Sequence, residues 1–227
     1  MNEDSDVVVA GAGHNGLIVA AYLAKAGLRV VVVEARDAVG GDTATEELTL
    51  PGFLHDTCST AHNLIQSNPM LRDDELHLSE YGLDYLRPDP VVHMPFPDGS
   101  SITQWLDLDR TCEEFARFSR RDADALRRLL ADYDTVKGAF SAYRYTPIGW
   151  GPSLRERLAA GPDAAMWMRR LALSAWDVIR HEFENRHVRA FMCWQAFQTL
   201  VPLDAAGSGT LAYSIIFGRQ RRSWSIP

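Results

Sequence analysis

Hydrophobic positions at the start of the chain form short apolar runs separated by glycine-rich breaks. Residues 6–10, DVVVA, predict a short strand that is buried on both faces, as in a parallel sheet. A glycine-rich turn follows at residues 11–16, and residues 17–26 predict a helix that ends at Gly27. Residues 28–33 predict a second buried strand. The chain therefore begins with a strand–turn–helix–strand unit.

The pattern after this unit is first loop-rich and then largely helical. Thr111 and Glu114 have the spacing of a capping box at the start of a helix, and Ser119 marks a break in the same helical pattern. The helix predicted at residues 187–200 is apolar nearly all round, which predicts that it is buried. The predicted elements are loops over residues 34–90, a β-hairpin at 91–105 with its turn at 97–99, a helix at 111–140, a loop with at most one short helix at 143–161, and helices at 163–184 and 187–200.

Composition and charge exclude several classes of protein. The 227 residues are 46% hydrophobic and carry a net charge of −7, with no long basic run, which argues against a nucleic-acid partner. Three widely spaced cysteines without a CxxC pair argue against a disulfide framework or a structural zinc site. The acidic start, MNEDSD, is unlike a signal peptide, and no apolar run is long enough for a membrane span. These features predict a protein of the reducing cytoplasm.

The glycine-rich turn, GAGHNG, fits the GxGxxG pattern in its full context. It follows a predicted strand and opens a predicted helix, and Glu34 lies 18 positions after Gly16. In such a turn Gly11 permits the tight bend, Gly13 lets the backbone approach a pyrophosphate, and Gly16 allows close packing of helix and strand. The helix start attracts the phosphates, and Glu34 can accept hydrogen bonds from ribose hydroxyls. The pattern favours a dinucleotide site over a glycine turn that binds nothing.

A second glycine pair, Gly40 and Gly41, follows the predicted ribose-binding residue. Folded back over the pyrophosphate, this pair would supply further backbone N–H groups. A plain NAD domain has no need of it, so the pair favours FAD as the cofactor.

The run DVVVAGAGHNGLIVAAYLAKAGLRVVVVEARDAVGGDTATEE resembles the FAD-dependent oxidoreductases of the phytoene desaturase and amine oxidase superfamily. The continuation PGFLHDTCSTAHNLI resembles the phytoene dehydrogenase-related branch, which includes the pyridine nucleotide-disulphide oxidoreductase domain-containing 2 type. The resemblance is strong over residues 5–65 and diffuse after them. It implies an α/β fold: a Rossmann-like βαβ unit within an incomplete FAD domain, followed by a mixed, largely helical part of a substrate domain.

The resemblance also implies roles for individual residues. Asn15 would lie at the helix start, and Arg36 would lie over the adenine side. The implied FAD-binding positions are Gly11, Gly13, Asn15, Gly16, Glu34, Ala35, Arg36, Gly40, Gly41 and Thr43. His55, Asp56 and Ser59 match a segment that runs towards the flavin ring in this family, with shaping of a loop or the core as the alternative role.

The resemblance further implies an activity and a division of the chain. Residues 1–65 would be the ADP-binding part of the FAD domain, and residues 66–227 would be part of the substrate domain. We expect FAD-dependent dehydrogenation or desaturation of an apolar or conjugated small molecule, with a complementary polypeptide supplying the C-terminal half. A flavin-dependent isomerase, an NAD(P)-dependent dehydrogenase and a non-catalytic scaffold subunit are the alternatives.

No catalytic base and no metal site follow from the sequence. His181 and Glu182 begin like the zinc-binding HExxH motif, but the next histidine, His187, is six positions after His181 instead of four. It would therefore lie on a different face of a helix.

Overall fold

Two short strands of mostly valine residues form the parallel pair that the opening pattern predicts. In the structure, a computed structural model that describes residues 4–227, strands β1 (Val7–Ala10) and β2 (Val30–Val33) pair in parallel. Helix α1 (His14–Lys25) connects them. It begins three residues earlier than predicted, because the glycine-rich stretch already contains its first turn. This is a βαβ unit of the kind that β-branched residues and a glycine turn favour.

Residues 34–86 are loop-rich, as predicted, with a few short elements. Strands β3 (Thr45–Glu47) and β4 (Leu54–Asp56) form an antiparallel pair. A single helical turn, α2 (Pro69–Arg72), lies between 3₁₀ turns at Ile65–Ser67 and Leu78–Tyr81. These elements follow the βαβ unit without adding strands to its sheet, which has the order β1-β2.

The later part of the chain starts with a hairpin and continues as helices. The hairpin is confirmed as strands β5 (Val92–Pro95) and β6 (Ser101–Gln104). The helices are α3 (Leu108–Ala116), α4 (Arg120–Arg144), α5 (Leu154–Ala159), α6 (Ala164–Ala172), α7 (Ala175–Glu182), α8 (Arg186–Phe197) and α9 (Leu211–Arg222). The single short helix expected between residues 143 and 161 is α5.

The break predicted near Ser119 is confirmed, but the predicted capping box is wrong. Ser119 is the N-cap of α4, and its hydroxyl accepts a hydrogen bond from the Asp122 N–H at 3.2 Å. Helix α3 is instead capped by Asp107, whose carboxylate accepts from two backbone N–H groups in the first turn of that helix. Thr111 is buried in the first turns of α3, and its hydroxyl bonds to the Trp105 backbone.

Two of the helix predictions at the end of the chain need correction. The helix expected at 163–184 is divided into α6 and α7, because Ser174 and Asp177 form a capping box that starts a new helix. The helix expected at 187–200 ends at Phe197, and its buried residues extend to Ala196, whereas Phe197 and Leu200 are exposed. Helix α9 was not predicted.

The described residues fall into two compact units. The N-terminal unit comprises the residues up to Leu86 together with Ser225–Pro227, and the helical unit is Arg87–Trp224. Ser225 joins the N-terminal unit through hydrogen bonds to the Asn63 side chain and the His62 N–H. The expected functional boundary after residue 65 lies inside the first unit, and the assignment of residues 1–65 to ADP binding stays a prediction.

The hydrophobic core belongs to the helical unit. The buried core cluster runs from Val91 to Phe217 and includes Phe115, Trp167 and Tyr213. In the N-terminal unit the buried hydrophobic residues are Ala12, Ala20 and Met70. The part of the chain that carries the glycine motif therefore has little core of its own.

Candidate dinucleotide-binding site

The glycine turn occupies the carboxyl end of β1, where parallel α/β sheets bind nucleotides. The Gly11 N–H donates to the Val33 carbonyl at 2.7 Å, which continues the β1–β2 pairing into the turn. A Cβ atom on Gly16 would lie under 3.0 Å from the Gly11 carbonyl oxygen and 3.5 Å from Cγ1 of Val9. Gly16 is thus required for the close packing of α1 on β1, as the sequence predicts.

The start of α1 presents backbone N–H groups without a protein cap. Gly13 is the N-cap residue, no side chain caps the helix, and its first turn contains no acidic residue. The first N–H groups of an α-helix have no acceptor within the helix, and the helix dipole makes this end electropositive. A Cβ atom on Gly13 would meet only the Gly41 Cα atom, at 3.8 Å. The geometry leaves room for an anionic group beside Gly13.

The second glycine segment lies against the first. The Gly40 N–H donates to the Ala12 carbonyl at 2.8 Å, and Gly13 and Gly40 form an isolated parallel bridge. Gly41 has a φ of +64°, and a Cβ atom on it would lie 2.9 Å from the Gly13 Cα atom. Only glycine combines this backbone conformation with so close an approach. The structure thus brings together the two glycine segments that the sequence predicts to meet.

Glu34 reaches the same turn from the end of β2. Its carboxylate accepts from the Ala12 N–H at 2.7 Å, the Ala35 N–H at 2.8 Å and the Arg36 N–H at 3.0 Å. These bonds, led by the one from Arg36, hold the pKa of Glu34 below its usual value. Because a carboxylate has about four acceptor positions, about one remains for a further donor such as a ribose hydroxyl.

The remaining implied cofactor positions lie around this turn. Asn15, Ala35 and Arg36 are exposed. Thr43 is half-buried, and its N–H donates to the Gly40 carbonyl at 3.1 Å, closing the second glycine turn. The contacts that these four residues would make with a cofactor stay predictions.

The candidates near the flavin ring occupy the β3–β4 hairpin and the residues after it. His55 Nε2 lies 2.8 Å from the Thr49 hydroxyl, and Asp56 accepts from the Thr45 hydroxyl at 2.8 Å. Ser59 follows the hairpin and is half-buried. The observed contacts of His55 and Asp56 are therefore internal to the hairpin, and a role of the three residues at the flavin stays a prediction.

Two features of the N-terminal unit have no signal in the sequence. The Tyr22 hydroxyl on α1 donates to the Glu75 carboxylate, which raises the pKa of Tyr22 to about 12. Lys25 donates to the Glu75 backbone carbonyl, so the far end of α1 is tied to a residue 50 or more positions later. No local pattern could have indicated this pairing.

The second feature is a valine face, formed by Val8, Val31 and Val33. Paired residues of a parallel sheet point to the same side, and these three alternate with half-buried valines of the same strands. Between 46% and 61% of the surface of each of these residues is exposed in the described part of the chain. The sequence predicts strands covered on both faces, whereas here one face of the sheet is open.

Residues 4–227 contain no candidate metal cluster and no candidate membrane span. No group of three or more histidine, cysteine, aspartate or glutamate side chains in this range could hold a metal ion. No helix in the same range has both the length and the apolar character needed to cross a bilayer.

Comparison with known proteins supports the interpretation of the glycine turns. The family described as NAD(P)-binding Rossmann-like domain matches residues 9–74. A limonene dehydrogenase subunit of Castellaniella defragrans is 41% identical over 60% of this chain and 24% of its own length. Pyridine nucleotide-disulfide oxidoreductase domain-containing protein 2 of Mus musculus is 34% identical over 56% of the chain and 22% of its own length.

A longer match and a structural neighbour extend the similarity over most of the chain. Hydroxyneurosporene desaturase of Rhodobacter capsulatus is 33% identical over 82% of the chain and 37% of its own length. Wild-type putrescine oxidase with bound putrescine superposes with a TM-score of 0.60 at 18% identity, over 98% of this chain and 45% of that one. The structural neighbour bears on the fold alone, and it confirms the predicted α/β class.

The chain spans less than half the length of the relatives that it matches. The family model covers the region of the glycine turns, and the desaturase and putrescine oxidase matches extend over 82% and 98% of the chain. Residues 9–74 therefore match the NAD(P)-binding Rossmann-like domain family, and the comparisons support a resemblance of the chain to the N-terminal portion of the FAD-dependent oxidoreductases of the phytoene desaturase and amine oxidase superfamily.

Proposed function

We propose that the chain provides the ADP-binding half of an FAD-dependent dehydrogenase or desaturase that acts on an apolar or conjugated small molecule. The observation that carries this proposal is the meeting of Gly13, Gly41 and Glu34 at the carboxyl ends of two parallel strands. The names of the relatives, a limonene dehydrogenase subunit and a hydroxyneurosporene desaturase, support the reaction class and the apolar substrate.

The chain's own residues would hold the ADP part of FAD. The free N–H groups at the start of α1, contributed by residues from His14 to Gly16, would bind the pyrophosphate, and Gly11 and Gly13 would keep side chains out of its path. Glu34 would accept a hydrogen bond from a ribose hydroxyl with its remaining lone pair, and Arg36, next to Ala35, would lie over the adenine side. When bound, FAD would supply the acceptor for a hydride taken from a substrate C–H bond.

The second glycine segment would close the site from the other side. Gly40, Gly41 and Thr43 form a turn that lies against Gly13, so a pyrophosphate there would have backbone on two sides. This arrangement supports FAD over a nicotinamide cofactor, because the added turn gives a second set of backbone contacts to the pyrophosphate. Residues 1–65 would then be the ADP-binding part, and the remaining residues part of the substrate domain.

A complementary polypeptide segment would complete the enzyme, on a separate chain or on the same one. The valine face exposes apolar surface that a further layer of structure would normally cover. The β1–β2 pair also leaves strand edges unpaired within the described residues, and such edges favour the addition of strands. The limonene dehydrogenase relative is named as one subunit of its enzyme, which supports a multi-subunit assembly.

The first test identifies the cofactor. The protein is purified in the assembly in which it occurs, its visible absorption is recorded, and every released small molecule is identified by mass spectrometry. We expect an oxidised flavin spectrum and FAD. A nicotinamide nucleotide in its place, or a colourless preparation that does not take up added FAD, would contradict the proposal. Anaerobic product analysis with an isoprenoid hydrocarbon then separates dehydrogenation from isomerisation.

The second test addresses the complementary segment. We expect the isolated 227-residue chain to be poorly soluble or free of flavin, and Val31→Glu on the valine face to prevent assembly. Val39→Glu is the matched control, because Val39 is at least as exposed but lies in a loop. A soluble monomer with stoichiometric FAD and turnover would refute the need for a complementary segment.

A further inference from the structure

The loop between α4 and α5 presents two large apolar side chains to solvent. Its sequence over residues 145–153 is YTPIGWGPS. Ile148 is fully exposed, at 102%, and Trp150 is 83% exposed. Single exposed apolar residues are common on protein surfaces, but here an isoleucine and a tryptophan stand two positions apart at one tip.

Hydrogen bonds at its base hold this loop in shape. The Trp150 N–H donates to the Pro147 carbonyl at 3.0 Å and closes a tight turn. Arg157 donates to the Pro152 carbonyl at 3.0 Å and to the Thr146 hydroxyl at 3.3 Å, one contact on each arm of the loop. An open depression of about 790 Å³ borders Trp150 and Arg157, so the indole ring lies beside solvent and not against the core. The tip is therefore presented outwards by a fixed base.

The charges around the tip differ from those of the whole chain. The net charge of the protein is −7, yet no aspartate or glutamate occurs between Asp134 and Glu156. Arg144 and Arg155 lie within this interval, as does Lys137, which pairs with Asp134 at 2.8 Å. The carboxylate of Glu156 is engaged in the capping box of α5, where it accepts from the backbone and hydroxyl of the N-cap serine. An apolar tip is thus flanked by basic residues in an otherwise acidic protein.

We propose that residues 145–153 dock the protein onto an anionic lipid bilayer, with Ile148 and Trp150 inserted at the interface. Tryptophan favours the boundary between headgroups and acyl chains, and basic side chains are attracted to anionic headgroups. This mode of binding is peripheral and needs no spanning helix.

The size of the tip favours a bilayer over a protein partner. A stable protein interface buries about 800 Å² on each side, which two protruding side chains on a convex turn cannot provide. Insertion into a bilayer needs only a few apolar side chains when basic residues add electrostatic attraction. The inference is independent of the cofactor, since the loop lies in the helical unit and none of its residues is part of the glycine turns.

The test measures binding of the protein, in the assembly in which it is isolated, to sedimented vesicles. Vesicles of phosphatidylcholine with one quarter phosphatidylglycerol are compared with pure phosphatidylcholine. We expect binding to the anionic vesicles, at least a tenfold loss for Ile148→Ser with Trp150→Ser, and about a fivefold loss for Arg155→Gln. Leu200→Ser is the matched control, because Leu200 is 82% exposed elsewhere on the helical unit.

Three results would overturn the proposal. The first is a wild-type protein that does not bind anionic vesicles. The second is an equal loss of binding in the Leu200→Ser control, which would mean that the tip has no special role. The third is a double variant that changes the sedimentation of the assembly in solution while vesicle binding is unchanged, because the loop would then be a protein interface. Thermal unfolding of each variant confirms that it is folded.

Discussion

Gly13 and Gly16 belong to the same turn but have different roles, and replacing each in turn by alanine distinguishes cofactor binding from packing. At Gly13 an added Cβ atom meets only the Gly41 Cα atom at 3.8 Å, an ordinary van der Waals contact. At Gly16 the added atom lies under 3.0 Å from the Gly11 carbonyl oxygen. We therefore predict that Gly13→Ala removes FAD from a folded protein, whereas Gly16→Ala disturbs the fold itself.

The expected magnitudes follow from these contacts. Alanine is a poorer N-cap residue than glycine, so Gly13→Ala lowers the free energy of unfolding by roughly 0.5–1 kcal/mol. Alanine also reduces the entropy of the unfolded chain, which raises the free energy of unfolding by about 0.4–1 kcal/mol. The apo stability should therefore change by less than about 1 kcal/mol. At Gly16 the gain in helix propensity is about 1 kcal/mol, but overpacking against a backbone carbonyl costs about 3 kcal/mol. The net loss of about 2 kcal/mol lowers Tm by roughly 4–8 °C.

The assay compares both variants with the wild type in the isolated assembly. FAD content per chain is measured first, and the apo forms are then unfolded thermally. Gly13→Ala should lose at least about tenfold in FAD affinity, because a methyl group beside Gly41 keeps phosphate from backbone N–H groups that each contribute about 1.5–3 kcal/mol. Full FAD occupancy in Gly13→Ala would refute the pyrophosphate role of this turn, and an unchanged Tm in Gly16→Ala would refute the packing argument.

Two further predictions concern carboxylates that accept backbone hydrogen bonds. Glu34→Ala should weaken FAD binding roughly tenfold, measured by flavin titration, and leave the helical unit folded. The backbone hydrogen bonds of the folded protein lower the pKa of Glu34, so the ionised carboxylate stabilises the fold above about pH 4.5. This stabilisation should be lost as the pH falls through the lowered pKa of the folded state. Asp122→Ala should destabilise the helical unit by about 3 kcal/mol in urea unfolding, because buried Asp122 accepts from the Glu184 and Asn185 N–H groups at 2.8 and 2.9 Å. Asp122→Asn, which keeps one acceptor oxygen, should cost less.

The site was predictable because its signals are local or lie a fixed distance apart. Valine runs, a glycine turn and an acidic residue after the second strand define the βαβ unit within 34 residues. The contact between Gly13 and Gly41 was also predictable in outline, since a second glycine pair has few other roles after such a unit. The first turn of α1 was missed because helix prediction started at the first apolar residue, Leu17, and not at the N-cap, Gly13.

The features that the sequence did not predict depend on contacts with residues outside the element, or lie where apolar and basic residues are mixed and obscure the helical period. Helix α9 lies after a glycine-rich loop and mixes apolar and basic residues, so its helical period is weak in the sequence. Its burial depends on partners outside the helix: Arg219 donates to Gln195 at 2.6 Å and stacks on Trp224, with the ring centre 3.9 Å away. Burial lowers the pKa of Arg219 to about 10. None of these contacts is encoded by spacing along one helix.

The division of the core between the two units decides where the cofactor matters for stability. The helical unit contains the continuous core cluster, whereas the described part of the N-terminal unit combines two separate two-stranded sheets with three buried hydrophobic residues. A sheet of two short strands has little stability by itself. The proposed FAD and complementary segment would supply what is missing, since a ligand present at about 100 times its Kd adds about 2.7 kcal/mol to the form that binds it. Loss of FAD should therefore speed hydrogen exchange in β1, α1 and β2 while exchange in α4 and α8 stays slow, because the core that protects those two helices contains no part of the dinucleotide site.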